Sequence, residues 1–437
     1  MGLCLERYLT EGLHRYARSL SRRKSMKLFK HQQDIVEEDL KKCGLFLGTG
    51  SGKTLTALSL ATGKTLVVVP KTVRDDHIWE KNLAKLDKKL DMTVVSKEDF
   101  RRDWDKYSRY DTLIHDELHN RTGVQPAIVY KNKQPRPKAS QIFEACYNFI
   151  KQTDPERLYL LTATPVKNPM AVYATGLMLG KSWNFYDFRD IYYTPIKMNN
   201  REIWIPKKTT EAQERLGETI KKLGYTGKLS DYADVPEQTH RIINVALHKE
   251  QSDRIKTLSL EYPNPLVLVG KKHQVEQGVL KGDEFNKSET FPSGKLEIME
   301  NLQEEFGKIL IFAKYTEQIE MIEKHFAPIC PVIVITGKTE NRGEFIALAE
   351  QLPVCVVVIQ SSISAGYELP SFRCTVYASL SYSYVDLNQS QGRTLRINNL
   401  QKNLYVYIMS GEIDKAIYKA LENKNDFQEA TYETPRS

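Results

Sequence analysis

Leu45–Thr54 reads L-F-L-G-T-G-S-G-K-T. An apolar run enters a Gly-rich turn and leaves it through Gly52-Lys53-Thr54 into the helix-compatible Leu55–Ala61. These residue types suit the holding of phosphate. Gly48, Thr49, Gly50, Ser51 and Gly52 let backbone N–H groups wrap phosphate oxygens. Lys53 can reach the β- and γ-phosphates, the Thr54 hydroxyl can bind Mg²⁺, and the helix N-terminus faces the anion. The strict pattern wants Gly at position 47, where Leu47 stands, so a loop that merely turns is the plainer alternative. A second segment, Tyr110–Asn120, reads Y-D-T-L-I-H-D-E-L-H-N and places Asp116-Glu117 directly after an apolar strand. Asp116 would hold Mg²⁺ directly or through water, and Glu117 would orient and deprotonate an attacking water. A lone D-E pair is usually a solvated surface feature. Downstream of a phosphate loop it predicts ATP hydrolysis, with ATP and Mg²⁺ as cofactors.

The elements that must position these groups follow from the hydrophobic pattern. Short Val/Ile/Leu runs occur at 65–70, 112–116, 158–162, 308–313, 332–336, 354–360, 375–380 and 404–409, alternating with longer helix-compatible segments. Continuous apolar runs predict strands buried on both faces, hence parallel sheets covered by helices, and the alternation is that of an α/β protein. The runs fall into two groups, before about residue 170 and after about residue 305. Two α/β domains joined through an aromatic, Lys-rich middle region are therefore expected. Residues 1–26 read as a basic helical extension, 27–235 as the first domain with a hairpin and helical insertion at about 181–230, and 236–437 as the second with a C-terminal helix.

With these motifs in place, the chain resembles the superfamily-2 helicases and translocases. It is most similar to their Swi/Snf-like branch and to small bacteriophage UvsW-like branch-migration members. D-E-L-H stands where that family has D-E-A-H, and position 47 is often not Gly in its first motif. Phe29-Lys30-His31-Gln32 looks like its adenine-reading motif and Val69-Pro70-Lys71-Thr72 like motif Ia. Leu161–Asn168 looks like motif III, Ile309–Lys314 like motif IV, and Ser361–Pro370 like motif V with Gly366 and Glu368 at its centre. Gln389–Arg396, Q-S-Q-G-R-T-L-R, fits Q-x-x-G-R-x-x-R, which is motif VI. The resemblance runs from about Met26 to about Glu412. It implies two tandem RecA-like domains with mostly parallel sheets and a small protruding hairpin and helical subdomain between them. It implies that Gln32 contacts the base, that Gly366 and Glu368 face the nucleotide, and that His119, Thr162, Thr164 and Gln389 couple the ATP and DNA sites. Physically, a guanidinium reaching from the second domain can stabilise charge building on the γ-phosphate only when the domains close. Arg393 and Arg396 are the candidates.

Strand-end loops suit phosphate backbones without reading sequence. Lys71 and Thr72 in the first domain, and Thr336, Gly337, Ser361 and Ser364 in the second, are the expected contacts. Tyr130–Lys138, Y-K-N-K-Q-P-R-P-K, reads as a basic loop broken by prolines, in contact with nucleic acid or simply solvated. Tyr192–Lys207 reads as a hairpin around Asn199-Asn200. Its Trp204 could stack on a base or wedge a duplex end, or could pack on its own domain. The composition agrees with a soluble polyanion-binding protein: 63 Lys+Arg against 55 Asp+Glu leave a net charge of +8, with 41% hydrophobic and 27% charged residues. No apolar run is long enough to span a bilayer, and charges interrupt the N-terminus where a signal core would lie. The six cysteines are scattered and form no C-x-x-C pair, so reduced thiols in a cytoplasmic protein are expected, in the host cytoplasm if phage-encoded. The resulting expectation is an ATP-driven helicase or translocase, plausibly monomeric, that remodels branched DNA. A duplex-DNA translocase that displaces proteins is the alternative, with an RNA helicase and an ATP-gated clamp behind it.

Overall fold

Leu45, Leu47, Val67, Val69, Ile114, Tyr159 and Leu161 form one buried cluster, and Phe46, Leu66, Val68, Leu113, Leu158 and Leu160 contribute to another. The alternation means that each run is a strand with both faces covered. The computed structural model describes residues 27–107, 109–119, 122–131, 133–166, 168–198, 201–207, 209–282, 284, 287–363, 367–395 and 402–423. The 1–26 extension, Ser364, Gly366, Arg396 and the Asn199-Asn200 turn lie outside the described residues. The chain divides into two compact units that meet in sequence between Ala233 and Asp234.

In the first unit, β1 (Lys42–Leu47), β2 (Lys64–Val69), β3 (Asp91–Ser96), β4 (Thr112–His115), β7 (Arg157–Leu161) and β10 (Gly224–Gly227) form one parallel sheet in the order β10-β1-β7-β4-β2-β3. Helices Lys30–Glu38 and Lys53–Leu60 supply side chains to one face, and helices Gln141–Thr153 and Pro169–Met178 to the other. Each fully buried Leu or Val contributes about 1.5–3 kcal/mol of burial free energy, which drives the layers together. Two antiparallel hairpins complete the unit: β5 (Val124–Lys131) with β6 (Gln134–Ala139), and β8 (Tyr193–Met198) with β9 (Arg201–Pro206).

Two expectations change here. The Pro-broken loop at Tyr130–Lys138 is instead most of the β5–β6 hairpin. An isolated two-stranded ribbon leaves outer edges unpaired, so Pro135 and Pro137 cost no ladder bonds to a third strand. The insertion expected to run to about residue 230 ends earlier, because β10 returns to the main sheet and pairs with β1 from Gly44↔Gly224 to Leu47↔Gly227. A Cβ on Gly224 would stand 2.0 Å from the Gly44 carbonyl oxygen, so only glycine fits there.

In the second unit, β11 (Gln238–Val245), β14 (Lys308–Ala313), β15 (Val332–Ile335), β16 (Cys355–Gln360), β17 (Cys374–Tyr377) and β18 (Asn403–Ser410) form a parallel sheet in the order β11-β18-β17-β14-β16-β15. A short ribbon pairs β12 (Val279–Leu280) with β13 (Glu289–Thr290), and the C-terminal helix covers Gly411–Glu422. The five described cysteines are buried free thiols. No helix among the described residues is long and apolar enough to cross a membrane.

A buried polar network crosses this unit. Lys295 Nζ donates to Asp414 Oδ2 at 2.8 Å and to the Ala378 carbonyl at 2.7 Å, and Asp414 Oδ1 lies 2.9 Å from His273 Nε2. Glu276 accepts from the backbone N–H groups of Ile413 and Asp414. Burial first, then the Asp414 charge, push the Glu276 carboxyl up to about 8. The folded unit therefore keeps a proton there that the unfolded chain releases near its ordinary value, and stability falls as pH rises through that window. Glu276→Gln, neutral throughout, is expected to flatten the fall of the thermal midpoint between about pH 5 and 8. An unchanged slope would place the titration elsewhere.

Candidate active site

All six strands of the first sheet run in the same direction, so the loops after β1, β2, β4 and β7 leave from one edge. Ligands of open α/β sheets bind at such carboxyl edges. The loop after β1 is built for close backbone approach. Gly50 and Gly52 have φ of 81° and 77°, in the left-handed region that favours glycine. Ser51 is buried, and its Oγ donates to the Gly48 carbonyl at 2.8 Å. Lys53 Nζ donates to the carbonyls of Leu47 and Gly48 at 2.8 and 3.0 Å. Thr49 completes the loop, and Thr54 lies in the first turn of the helix that follows.

Gln32 holds this loop from behind. Its Nε2 donates to the Gly52 carbonyl at 3.1 Å and approaches Thr56 Oγ1 at 3.4 Å, while its Oε1 accepts from the Phe29 N–H at 2.8 Å. The carboxamide is buried, and a Cβ on Gly52 would stand 2.2 Å from Nε2. In this arrangement the residue expected to read a base fixes the Gly48–Thr54 loop. His31 assists, with Nε2 3.0 Å from the Ser51 carbonyl oxygen and its ring stacked on Tyr232 at 4.2 Å.

The carboxylates stand at the end of β4. Asp116 accepts from the Glu117 N–H at 2.8 Å and from Trp79 Nε1 at 3.3 Å. Burial, then the neighbouring Glu117 charge, push its carboxyl up to about 6, while Lys53 pulls it down. Glu117 turns out of the strand with φ of 49°. Its Oε2 lies 3.4 Å from His119 Nδ1, which in turn is 2.9 Å from Thr162 Oγ1 at the end of β7. Thr162 Oγ1 also accepts from the Thr164 N–H at 3.1 Å. His119, Thr162 and Thr164 thus form one chain of contacts leading from Glu117 to the next strand end. The Thr164 hydroxyl is buried and has no hydrogen-bond partner among the described residues. At the end of β2, Lys71 is exposed and Thr72 half-buried, and both sit in the short helix Lys71–Asp75.

The second unit presents its own carboxyl edge. After β15, the Thr336 N–H donates to Thr339 Oγ1, the Gly337 N–H donates to Gln360 Oε1, and both carbonyls accept from Arg342 Nη2. After β16, the Ser361 hydroxyl is buried and has no hydrogen-bond partner among the described residues. Glu368 is exposed and Gln389 buried. Arg393 is half-buried: Nε donates to the Gln389 carbonyl at 3.0 Å and Nη1 to the Tyr367 carbonyl at 3.1 Å.

Trp204 lies on the β9 side that packs toward the first unit's core, with the Arg189 guanidinium 3.5 Å from its ring centroid. The opposite face of the ribbon carries the exposed Ile196, Ile203 and Ile205. Trp79, Lys97 and Arg342 had no sequence signal. Each lies in a charged, helix-compatible stretch; Trp79 and Lys97 gain their roles from residues distant in sequence, and Arg342 from carbonyls of the loop just before its own helix.

Residues 294–398 match the family model described as Helicase conserved C-terminal domain. A comparison with curated proteins gives no match. Among solved structures, the chain is similar to the SWI2/SNF2 ATPase core of Sulfolobus solfataricus in complex with dsDNA, at 18% identity, 91% coverage of each chain and a TM-score of 0.39. With the loop and paired carboxylates of the first unit, the matched domain identifies a nucleotide-hydrolysing enzyme.

Proposed function

We propose that the chain is an ATP-driven motor that translocates on duplex DNA, built on a core of the superfamily-2 kind. The observation that carries this reading is the convergence of the Gly48–Thr54 loop, Asp116, Glu117 and the Thr162–Thr164 segment on one sheet edge. The Thr54 hydroxyl and Asp116 carboxylate are hard oxygen donors. They suit Mg²⁺, which is commonly held by one or two carboxylates together with substrate phosphates. Bound ATP with Mg²⁺ supplies the phosphoryl group and neutralises its charge. Lys53 and the loop N–H groups hold the phosphates, and Glu117 takes the proton of the attacking water. The His119–Thr162–Thr164 contacts carry a change at Glu117 to the end of β7. Lys71, Thr72, Thr336, Gly337 and Ser361 supply backbone-tracking contacts that need no base sequence. The β5–β6 hairpin adds exposed Lys133, Arg136 and Lys138, with no acidic residue from Val124 to Ala139. Only the resemblance to the Swi/Snf-like branch favours DNA over RNA, since phosphate contacts are similar for both.

Duplex translocation is preferred to strand separation because Trp204 is engaged by Arg189 and the core. Trp204→Ala is expected to cost about 1–3 kcal/mol of stability, read as a lower thermal midpoint, and to reduce turnover and DNA binding together. Loss of strand separation alone, at an unchanged midpoint, would restore the wedge and with it the remodelling of branched DNA. The reading as a whole is tested by ATP hydrolysis without polymer and with single-stranded DNA, linear duplex, a four-way junction or RNA, with Lys53→Ala as control. Equal stimulation by linear duplex and junction is expected. Greatest stimulation by the junction would favour fork reversal or branch migration, and stimulation by RNA alone would overturn the DNA reading.

A further inference from the structure

Lys97 opens the helix Lys97–Asp103 directly after β3, in a stretch, K-E-D-F-R-R-D, that is otherwise typical of a protein surface. Its side chain is nonetheless only 2% exposed. Burying an ammonium is costly unless it is well bonded. Here Nζ donates to the Glu117 carbonyl at 2.6 Å. Burial draws the Lys97 ammonium down to about 8, while the Glu117 and Asp116 charges hold it up, so it stays protonated at neutral pH.

The peptide that Lys97 grips is unusual. Glu117 has φ of 49°, a conformation that a residue with a Cβ adopts only when its surroundings impose it. The same residue is fixed by its N–H, which donates to Asp116 Oδ1, and by its carboxylate, which approaches His119. The Lys97 ammonium adds a restraint on the carbonyl, in the same peptide whose Leu118 N–H donates to the Leu161 carbonyl at 2.9 Å. Without it, the peptide after Glu117 could rotate, let Glu117 relax toward an extended conformation and swing the carboxylate off its line.

We propose that Lys97 is a positioning residue for Glu117, fixing the left-handed turn that aims this carboxylate at the water attacking the γ-phosphate. This rests on the assignment of Glu117 as the general base.

The test is a double-mutant cycle on the full chain, measuring single-turnover and steady-state ATP hydrolysis with duplex DNA. Lys97→Met is expected to lower kcat by at least about tenfold while leaving the ATP KM within about twofold, because positioning acts on the transition state and not on substrate binding. In a Glu117→Gln background the same substitution is expected to have no further effect, since Lys97 acts through Glu117. A merely structural lysine would give the same factor in both backgrounds, and that result, or turnover within about twofold of the wild type, would overturn the proposal. If Lys97→Met lowers the thermal midpoint too far to assay, Lys97→Gln, which keeps a donor on a shorter arm, carries the same comparison. A wild-type chain without ATP turnover would instead overturn the proposed function itself, and is distinguished by appearing before any variant is made.

Discussion

Glu117→Gln is expected to bind ATP as the wild type does and to hydrolyse it about 10²–10⁴-fold more slowly, the range associated with loss of a general base. The substitution keeps the length of the side chain and leaves an oxygen able to approach His119, 3.4 Å from the native carboxylate. It also keeps the backbone bond to Asp116, and it removes only the group that can accept a proton. Nucleotide affinity and the thermal midpoint should therefore hold while single-turnover hydrolysis collapses. Lys53→Ala makes the useful contrast. Its ammonium bonds the carbonyls of Leu47 and Gly48 within the phosphate loop, so this variant should lose nucleotide affinity along with turnover. A Glu117→Gln chain that keeps turnover within about tenfold, well short of the usual effect, would move water activation to another residue.

Arg396→Ala is expected to lower DNA-stimulated turnover by about 10³-fold, the lower end of what an arginine finger contributes to phosphoryl transfer. Arg393→Ala should behave differently, although the two arginines share one motif. The Arg393 guanidinium already ties the Gln389 and Tyr367 carbonyls together, which fixes the segment before Leu369 to the end of the helix Tyr384–Gln391. Its removal leaves two carbonyls without those donors and should cost about 1–3 kcal/mol of stability. Thermal midpoints and turnover measured side by side separate the two roles: Arg396→Ala slow but stable, Arg393→Ala less stable. A stable, slow Arg393→Ala would assign it the finger instead, and turnover reduced by under about tenfold in Arg396→Ala would remove Arg396 from that role.

The centre of each sheet was legible, whereas of the edge strands only Val332–Ile335 was. Strands such as Lys64–Val69 and Cys355–Gln360 are flanked on both sides and covered on both faces, so nearly every side chain is apolar. Asp91–Ser96 and Gln238–Val245 lie at sheet edges, keep partly or fully exposed positions, and read as polar connectors. Gly224–Gly227 is hidden for another reason. Its place beside β1 depends on two glycines meeting backbone to backbone, which leaves no hydrophobic signature. The Pro-rich ribbon escaped notice because prolines usually argue against a strand and are tolerated where no third strand pairs.

At the site, the same division separates local from distant contacts. The Gly48–Thr54 loop and the Asp116-Glu117 pair are contiguous in sequence, so residue types and spacing were enough to bring them forward. Lys97 and Gln32 gain their positions from carbonyls of Glu117 and Gly52, about twenty residues away in each case. Neither a lysine among charges nor a glutamine in an amphipathic helix announces such a partner.

The placement of β1 has a consequence for how the chain comes into being. Its neighbours are β7 and β10, so the strand that runs into the Gly48–Thr54 loop is flanked by the last two strands of its sheet to be made. The order of synthesis and the order of assembly are opposed: β2, β3 and β4 can pair as they leave the ribosome, whereas β1, made first, waits. Non-local pairing of this kind is slow and exposes apolar edges meanwhile. A nascent chain halted short of Gly224 would carry every residue of the Gly48–Thr54 loop and still lack the edge strand beside it, so the first sheet is complete only once about half of the chain has been made.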